Sequence, residues 1–154
     1  MIGFDRGSQR KRCLVLDTTA LLAAIQLSMA PMDGNTVLLT TSSNVEEVKD
    51  FENRSKLEVA LEIGRIVVKD PDPRYVEKVV EVAKRVGSLG KLSFTDLQLV
   101  ALALELRDEG MEVVVLSDDY HVQNLLAHLG IEFRALRTPG IREKKVFRRR
   151  SSLG

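Results

Sequence analysis

Short uninterrupted apolar runs alternate along this chain with longer stretches whose apolar residues recur every three or four positions. Runs at residues 13–16, 37–39, 66–68 and 113–116 are bounded by polar or turn-forming residues, the pattern of strands buried on both faces, and residues 131–136, where Glu132 and Arg134 alternate with apolar positions, give a last strand. The intervening spacing predicts a helix over 18–29, with Leu21, Leu22, Ile25 and Met29 on one face. A second helix starts in the polar run 40–44 and carries Val45, Glu46, Glu47 and Val48, and a third covers 56–63. The fourth spans 74–86, with Val76, Val79, Val80 and Ala83 inward. Ser93 opens a long helix to Glu109 that buries Leu97, Val100, Ala101 and Leu104, and a last helix ends at Leu129. Pro31, Asp33-Gly34, Pro71, Pro73, Gly87, Gly90, Gly110, Gly130 and Pro139-Gly140 punctuate these elements. Apolar strands alternating with amphipathic helices specify an α/β fold around a parallel sheet.

The chain has 154 residues, enough for one domain with a real core, and its 44% hydrophobic and 29% charged content fits a soluble globular protein. No apolar run approaches the roughly 18 residues that cross a bilayer, and the first residues lack a signal-like apolar stretch, so neither a membrane span nor secretion is expected. The single Cys13 excludes an internal disulfide framework or a Cys-rich zinc module, and its place in the first strand reads as a small buried hydrophobe.

A net charge of +1 hides an asymmetry. Residues 1–12 hold four basic side chains and one acid, and residues 142–150 hold six and one; the stretch between them has 13 basic and 20 acidic residues, a balance of −7. The expected organisation is a basic arm over 1–12, a globular domain over 13–137 and a basic tail over 138–154. Arg142, Lys144, Lys145, Arg148, Arg149 and Arg150 would track phosphates if the tail binds a polyanion; basic ends that only aid solubility are the plainer alternative.

Acids recur where strands give way to helices. Asp17 stops the run Leu14-Val15-Leu16, Glu47 follows the second strand, Asp96 lies in the first turn after Ser93, and Asp118 and Asp119 follow the strand 113–116. In open parallel sheets ligands bind beyond the carboxyl ends of the strands, so all of these acids share one rim. Acids also suit helix N-termini, and for Glu47 and Asp96 that alone would be a sufficient reason. Carboxylates gathered on one rim repel each other unless a cation neutralises them, and hard oxygen donors favour Mg²⁺ or Mn²⁺; one Cys and two His, His121 and His128, make zinc a poorer match. For Asp118 the alternatives are a place on the rim or a helix cap. Tyr120 reads as a core aromatic or a base-stacking ring, and Gln123 and Asn124 as a solvated helix face or as groups that bind backbone or RNA.

Taken together, Asp17 in LDTTAL, Glu47 in VEEV, Asp96 in LSFTD and Asp119 in SDD resemble the PIN-domain ribonuclease family over about residues 13 to 136. Ser117 stands where that family more often has Thr, which keeps the hydroxyl. The segment SDDYHVQNLLAHLGI and the segment LSFTDLQLVALALEL are similar to the branch that matures the 3′ end of small-subunit ribosomal RNA at site D. The resemblance implies a three-layer α/β/α fold with a mostly parallel sheet and a cytoplasmic, metal-dependent endoribonuclease acting on precursor ribosomal RNA or a pre-ribosome. It assigns Asp17, Glu47, Asp96 and Asp119 to catalysis and metal binding, Asp118 to metal binding, and Thr18 and Ser117 to support. It implies products with a 5′-phosphate and a 3′-hydroxyl, and it leaves a homodimer open. That branch usually carries a Cys-rich zinc ribbon after the domain, which this chain does not contain, so the choice of cleavage site is the property the resemblance supports least.

Other readings follow from the same residues. A toxin-type PIN ribonuclease would use the same acids on another RNA, and a non-catalytic PIN-like module would bind RNA without cutting it. LVLDTT with a late Asp pair is also similar to haloacid-dehalogenase-like phosphatases, but the second nucleophile-loop position is Thr19 and no Lys precedes the final pair convincingly.

Overall fold

The structure, a computed structural model, describes residues 10–29 and 34–136. Its elements in chain order are β1 (Arg12–Leu16), α1 (Thr18–Gln26), β2 (Thr36–Thr40), α2 (Ser42–Glu46), α3 (Phe51–Glu62), β3 (Ile66–Val68), α4 (Pro73–Arg85), α5 (Phe94–Asp108), β4 (Glu112–Leu116), α6 (Tyr120–Leu129) and β5 (Glu132–Arg134), with one 3₁₀ turn at Leu89–Lys91. The five strands form one sheet in the order β3-β2-β1-β4-β5. Every pairing is parallel, with Val15 opposite Leu39 and Val115, and Leu16 opposite Leu116.

Alternation along the strands builds two cores. Cys13, Val15, Leu39, Val113 and Val115 face α4, α5 and α6, while Leu16, Leu38 and Ile66 face α1 and α3. The result is a three-layer α/β/α arrangement. Helix α5 buries Leu99 through Leu104 and Leu106, not the single stripe that periodicity suggests. It lies between α4, α6 and the sheet, so most of its circumference meets protein.

Boundaries differ from the sequence pattern for identifiable reasons. Helix α1 stops at Gln26, three residues early, because Ser28 turns left-handed at φ 53° and the Met29 N–H closes back on the Ala24 carbonyl at 2.8 Å. The second helix is a single turn: Glu47 is its C-terminal cap and not a residue of its first turn. The next helix starts at Phe51, five residues before the apolar pattern begins, because the Asp50 carboxylate caps the Asn53 N–H. Strand β5 keeps only three of the six residues expected.

Strands β2 and β3 lie to one side of β1, and β4 and β5 to the other. After β3 the chain crosses back to lay β4 on the other side of β1, so the strand order switches direction between the neighbours β1 and β4, and a crevice opens there beyond the carboxyl ends. Asp17 and Ser117, which follow the paired residues Leu16 and Leu116, stand at its mouth.

Candidate active site

Asp17 leaves β1 as the N-cap of α1, with Oδ1 accepting the Ala20 N–H at 2.8 Å. A cap alone would explain a carboxylate here, but not its electrostatics. The Asp17 carboxyl is held above the usual aspartate range, first by burial. Hydrogen bonds from Ser117 and Ala20 pull it back, and the charges of Asp118 and Asp119 push it up again. Asp17 thus feels acids more than 100 residues away in sequence.

Asp96 completes a capping box with Ser93: its Oδ2 accepts the Ser93 N–H at 2.9 Å, and the Ser93 hydroxyl accepts the Asp96 N–H at 3.0 Å. The helix-start role expected of it is real. Its carboxyl is nonetheless raised, again first by burial, and the opposing acids include Asp119 and Glu47. Through these fields the four acids share one electrostatic neighbourhood.

Glu47 is held by a relay that starts in the core. The Thr41 hydroxyl donates to Asn44 Oδ1 at 2.7 Å, Asn44 Nδ2 donates to Thr18 Oγ1 at 2.9 Å, and Thr18 Oγ1 donates to Glu47 Oε1 at 2.6 Å. Arg54 Nη1 donates to the Val45 and Val48 carbonyls on either side of Glu47, at 3.0 and 3.1 Å. Asp70, just beyond β3, anchors the start of α2 by accepting both the N–H and the hydroxyl of Ser42. At the carbonyl end of a helix an acid gains nothing from the helix dipole, so helix-start stabilisation does not explain Glu47.

The two acids after β4 divide their work. Asp119 caps α6, with Oδ1 accepting the His121 and Val122 N–H groups at 2.8 and 3.1 Å. Asp118 Oδ1 accepts the Leu136 N–H at 2.5 Å, so the cap belongs to Asp119 and not to Asp118. Fully buried Ser117 accepts the Asp119 N–H on its hydroxyl at 3.1 Å. Gln123 is buried, not solvated, and its Nε2 donates to the Ser117 carbonyl at 2.7 Å. His128 is exposed on α6, and Asn124 is half-buried.

Asn44 is the residue that the apolar pattern passes over. It is 2% exposed, and it joins Thr41 to Thr18. The only sequence signal is its place in the polar run TTSSN after a buried strand. Arg142, Lys144, Lys145, Arg148, Arg149 and Arg150 lie outside the described residues, as do 1–9 of the basic arm.

The donor set consists of hard carboxylate oxygens, and the protein bonds given above engage one oxygen of Glu47 and one of Asp119. Among the described residues no Lys or Arg pairs with Asp17, Glu47, Asp96, Asp118 or Asp119. Among them, too, no three His, Cys, Asp or Glu side chains stand in a ready-made coordination shell. Carboxylate oxygens of this kind are the donor type that suits a hard cation.

Residues 14–106 match the family described as the PIN domain of ribonuclease. The chain belongs to the PIN-domain ribonuclease family. This PIN domain is 41% identical over 130 residues to Ribonuclease VapC3 of Aeropyrum pernix, covering 84% of this chain and 90% of that protein. It is 40% identical over 110 residues to Endoribonuclease Nob1 of Methanothermobacter thermautotrophicus, covering 71% of this chain and 64% of the relative. Against Endoribonuclease Nob1 of Pyrococcus abyssi the identity is 36% over 124 residues, with 80% and 68% covered. The PIN match includes Asp17, Glu47 and Asp96 and stops short of Asp118 and Asp119, which the fold brings to the same rim. Among the described residues no helix is long and apolar enough to cross a membrane.

Proposed function

We propose that this PIN domain is a cytoplasmic, divalent-metal-dependent endoribonuclease that trims the 3′ end of precursor small-subunit ribosomal RNA. The observation that carries the reading is the cluster itself: partly buried Asp17 and Asp96 feel Asp118, Asp119 and Glu47, with no paired Lys or Arg among the described residues. Such a cluster costs stability unless it meets a cation. Support for the substrate comes from relatives named Nob1, including the 20S-pre-rRNA D-site endonuclease of Schizosaccharomyces pombe, 31% identical over 96 residues. The domain spans only 24% of that protein, so the substrate is carried by resemblance and not by the geometry.

Asp17, Glu47, Asp96 and Asp119 would hold Mg²⁺ or Mn²⁺, with Asp118 beside them. When bound, such an ion supplies Lewis-acid activation of water and offsets charge on the phosphodiester. The protein's own groups orient that chemistry. Thr18 fixes one oxygen of Glu47, Ser93 fixes Asp96, and Ser117 braces the Asp17 and Asp119 turns. Water is the nucleophile and enters in line with the leaving 3′-oxygen, which departs as a 3′-hydroxyl and leaves a 5′-phosphate on the other product. No side chain becomes covalently attached to RNA.

A second reading is a toxin-type PIN ribonuclease with a different RNA target. It is favoured by the match that covers 90% of Ribonuclease VapC3. Incubating the protein with an RNA that spans the mature 3′ end of the small-subunit RNA, beside an unrelated RNA of equal length, separates the two. Cutting concentrated at the mature end supports the first reading, and equal cutting of both RNAs or a preferred site elsewhere supports the second.

A further inference from the structure

Two exposed aromatic rings stand where the acids converge. Phe94, the first residue of α5, is 65% exposed, and Tyr120, the first residue of α6, is 68% exposed. The expectation of a core aromatic at Tyr120 is therefore overturned: it precedes the inward face of α6, which begins at Val122. Phe94 lies two residues before Asp96 and Tyr120 directly after Asp119. Helices α5 and α6 pack on each other, and the Asp119 charge reaches Asp96, so the two helix starts that carry these rings also carry acids of one patch. The Tyr120 ring meets the His121 ring edge-on, with centroids 5.4 Å apart at 74°. That contact steadies the side chain while leaving most of it in solvent.

Isolated exposed apolar residues are ordinary. Position sets these two apart, because two of the three exposed aromatics among the described residues flank the acids, and only Phe51 lies elsewhere. An acidic rim repels a polyanion, so a nucleic acid brought here needs an attraction that does not depend on phosphate charge. Stacking of bases on aromatic rings is such an attraction, and it tolerates any sequence because every base has a π-face. A duplex keeps its bases in its own stack, so the rings select single strands.

We propose that Phe94 and Tyr120 are base-stacking platforms that hold single-stranded RNA across the acidic rim. The proposal rests on the ribonuclease reading for its substrate, but it is tested without cleavage. Binding of a fluorescein-labelled single-stranded oligoribonucleotide to the full chain is followed by anisotropy in EDTA. Phe94→Ala and Tyr120→Ala each weaken binding about tenfold, while Tyr120→Phe, which keeps the ring, binds like the parent. An oligoribonucleotide with abasic central positions binds the parent more weakly than the intact strand, and the doubly substituted protein does not distinguish the two. Alanine variants that bind as tightly as the parent, or a parent indifferent to the missing bases, would overturn the proposal. If the parent fails to cut RNA under Mn²⁺, the nuclease reading fails separately, and the EDTA binding result still decides the stacking.

Discussion

The Thr18 hydroxyl donates a 2.6 Å hydrogen bond to Glu47 Oε1 across a separation of 29 residues. Thr18 is the first residue of α1 and Glu47 the last cap of α2, so this one bond ties the end of β1 to the segment after β2. Asn44 fixes the hydroxyl by donating to its oxygen, which leaves the Thr18 proton directed at the carboxylate. Groups that orient a metal-binding carboxylate from behind typically matter by about 10–100-fold. Thr18→Val should therefore lower kcat for RNA cleavage by about that range, and because it also removes the acceptor of the buried Asn44 amide it should cost about 1–3 kcal/mol of stability. Thr18→Ser should retain most activity. Steady-state kinetics with Mn²⁺ on a short RNA checks both.

The raised carboxyls predict a trade between stability and function. Folded Asp17 and Asp96 keep their protons to higher pH than the unfolded chain does. Their contribution therefore favours folding at low pH and is lost as pH rises through their raised pKa values. Asp17→Asn removes the charge and keeps a side chain able to cap α1. Its melting temperature should exceed the parent's at neutral pH, by about 2–4 °C for each kcal/mol relieved, and the excess should vanish as pH falls toward 3.8, the ordinary value. Adding Mn²⁺ should raise the parent's melting temperature and leave that of the variant nearly unchanged. Calorimetric scans over pH, with and without Mn²⁺, provide the check.

Gln123 supports the turn that carries Asp119. Its buried amide satisfies the Ser117 carbonyl, so Gln123→Ala leaves that acceptor without its partner. The expected cost is about 1–3 kcal/mol in urea unfolding. Leu102→Ala in the enclosed helix α5 should cost more, about 2–5 kcal/mol, because its neighbours on several sides cannot all close the gap.

Replacing Arg142, Lys144, Lys145, Arg148, Arg149 and Arg150 with alanine tests the tail. If all six meet phosphates of a single strand, the slope of log affinity against log salt should become shallower by about 4. An unchanged slope would mean that these residues serve solubility alone.

At the sheet edges Val67 and Val68 of β3 and Glu132 and Arg134 of β5 are exposed, but the runs that form β1, β2 and β4 are legible because burial on both faces leaves an unbroken apolar signal. The acids at strand ends were legible for the same reason: Asp17 and the Asp118-Asp119 pair interrupt such runs. The start of α3 was not, since it is set by the Asp50 cap while Phe51 and Val59 face solvent and blur the periodicity. Nor was the placement of Glu47, whose helix is one turn long and is held by Arg54 and Asp70 instead of an apolar stripe. Asn44 and Gln123 act through contacts with Thr18 and the Ser117 carbonyl, and such long-range polar contacts leave no period in the chain.

The most direct measurement is cleavage of a 5′-labelled single-stranded RNA by the full chain in Mn²⁺, with end-group analysis, beside Asp17→Asn and Asp96→Asn. Cutting by the parent that yields 3′-hydroxyl ends, stops in EDTA and falls at least about 100-fold in both variants is the expected result. Undiminished cutting by either variant, or cutting that persists in EDTA, would contradict a cation-dependent centre built from these acids.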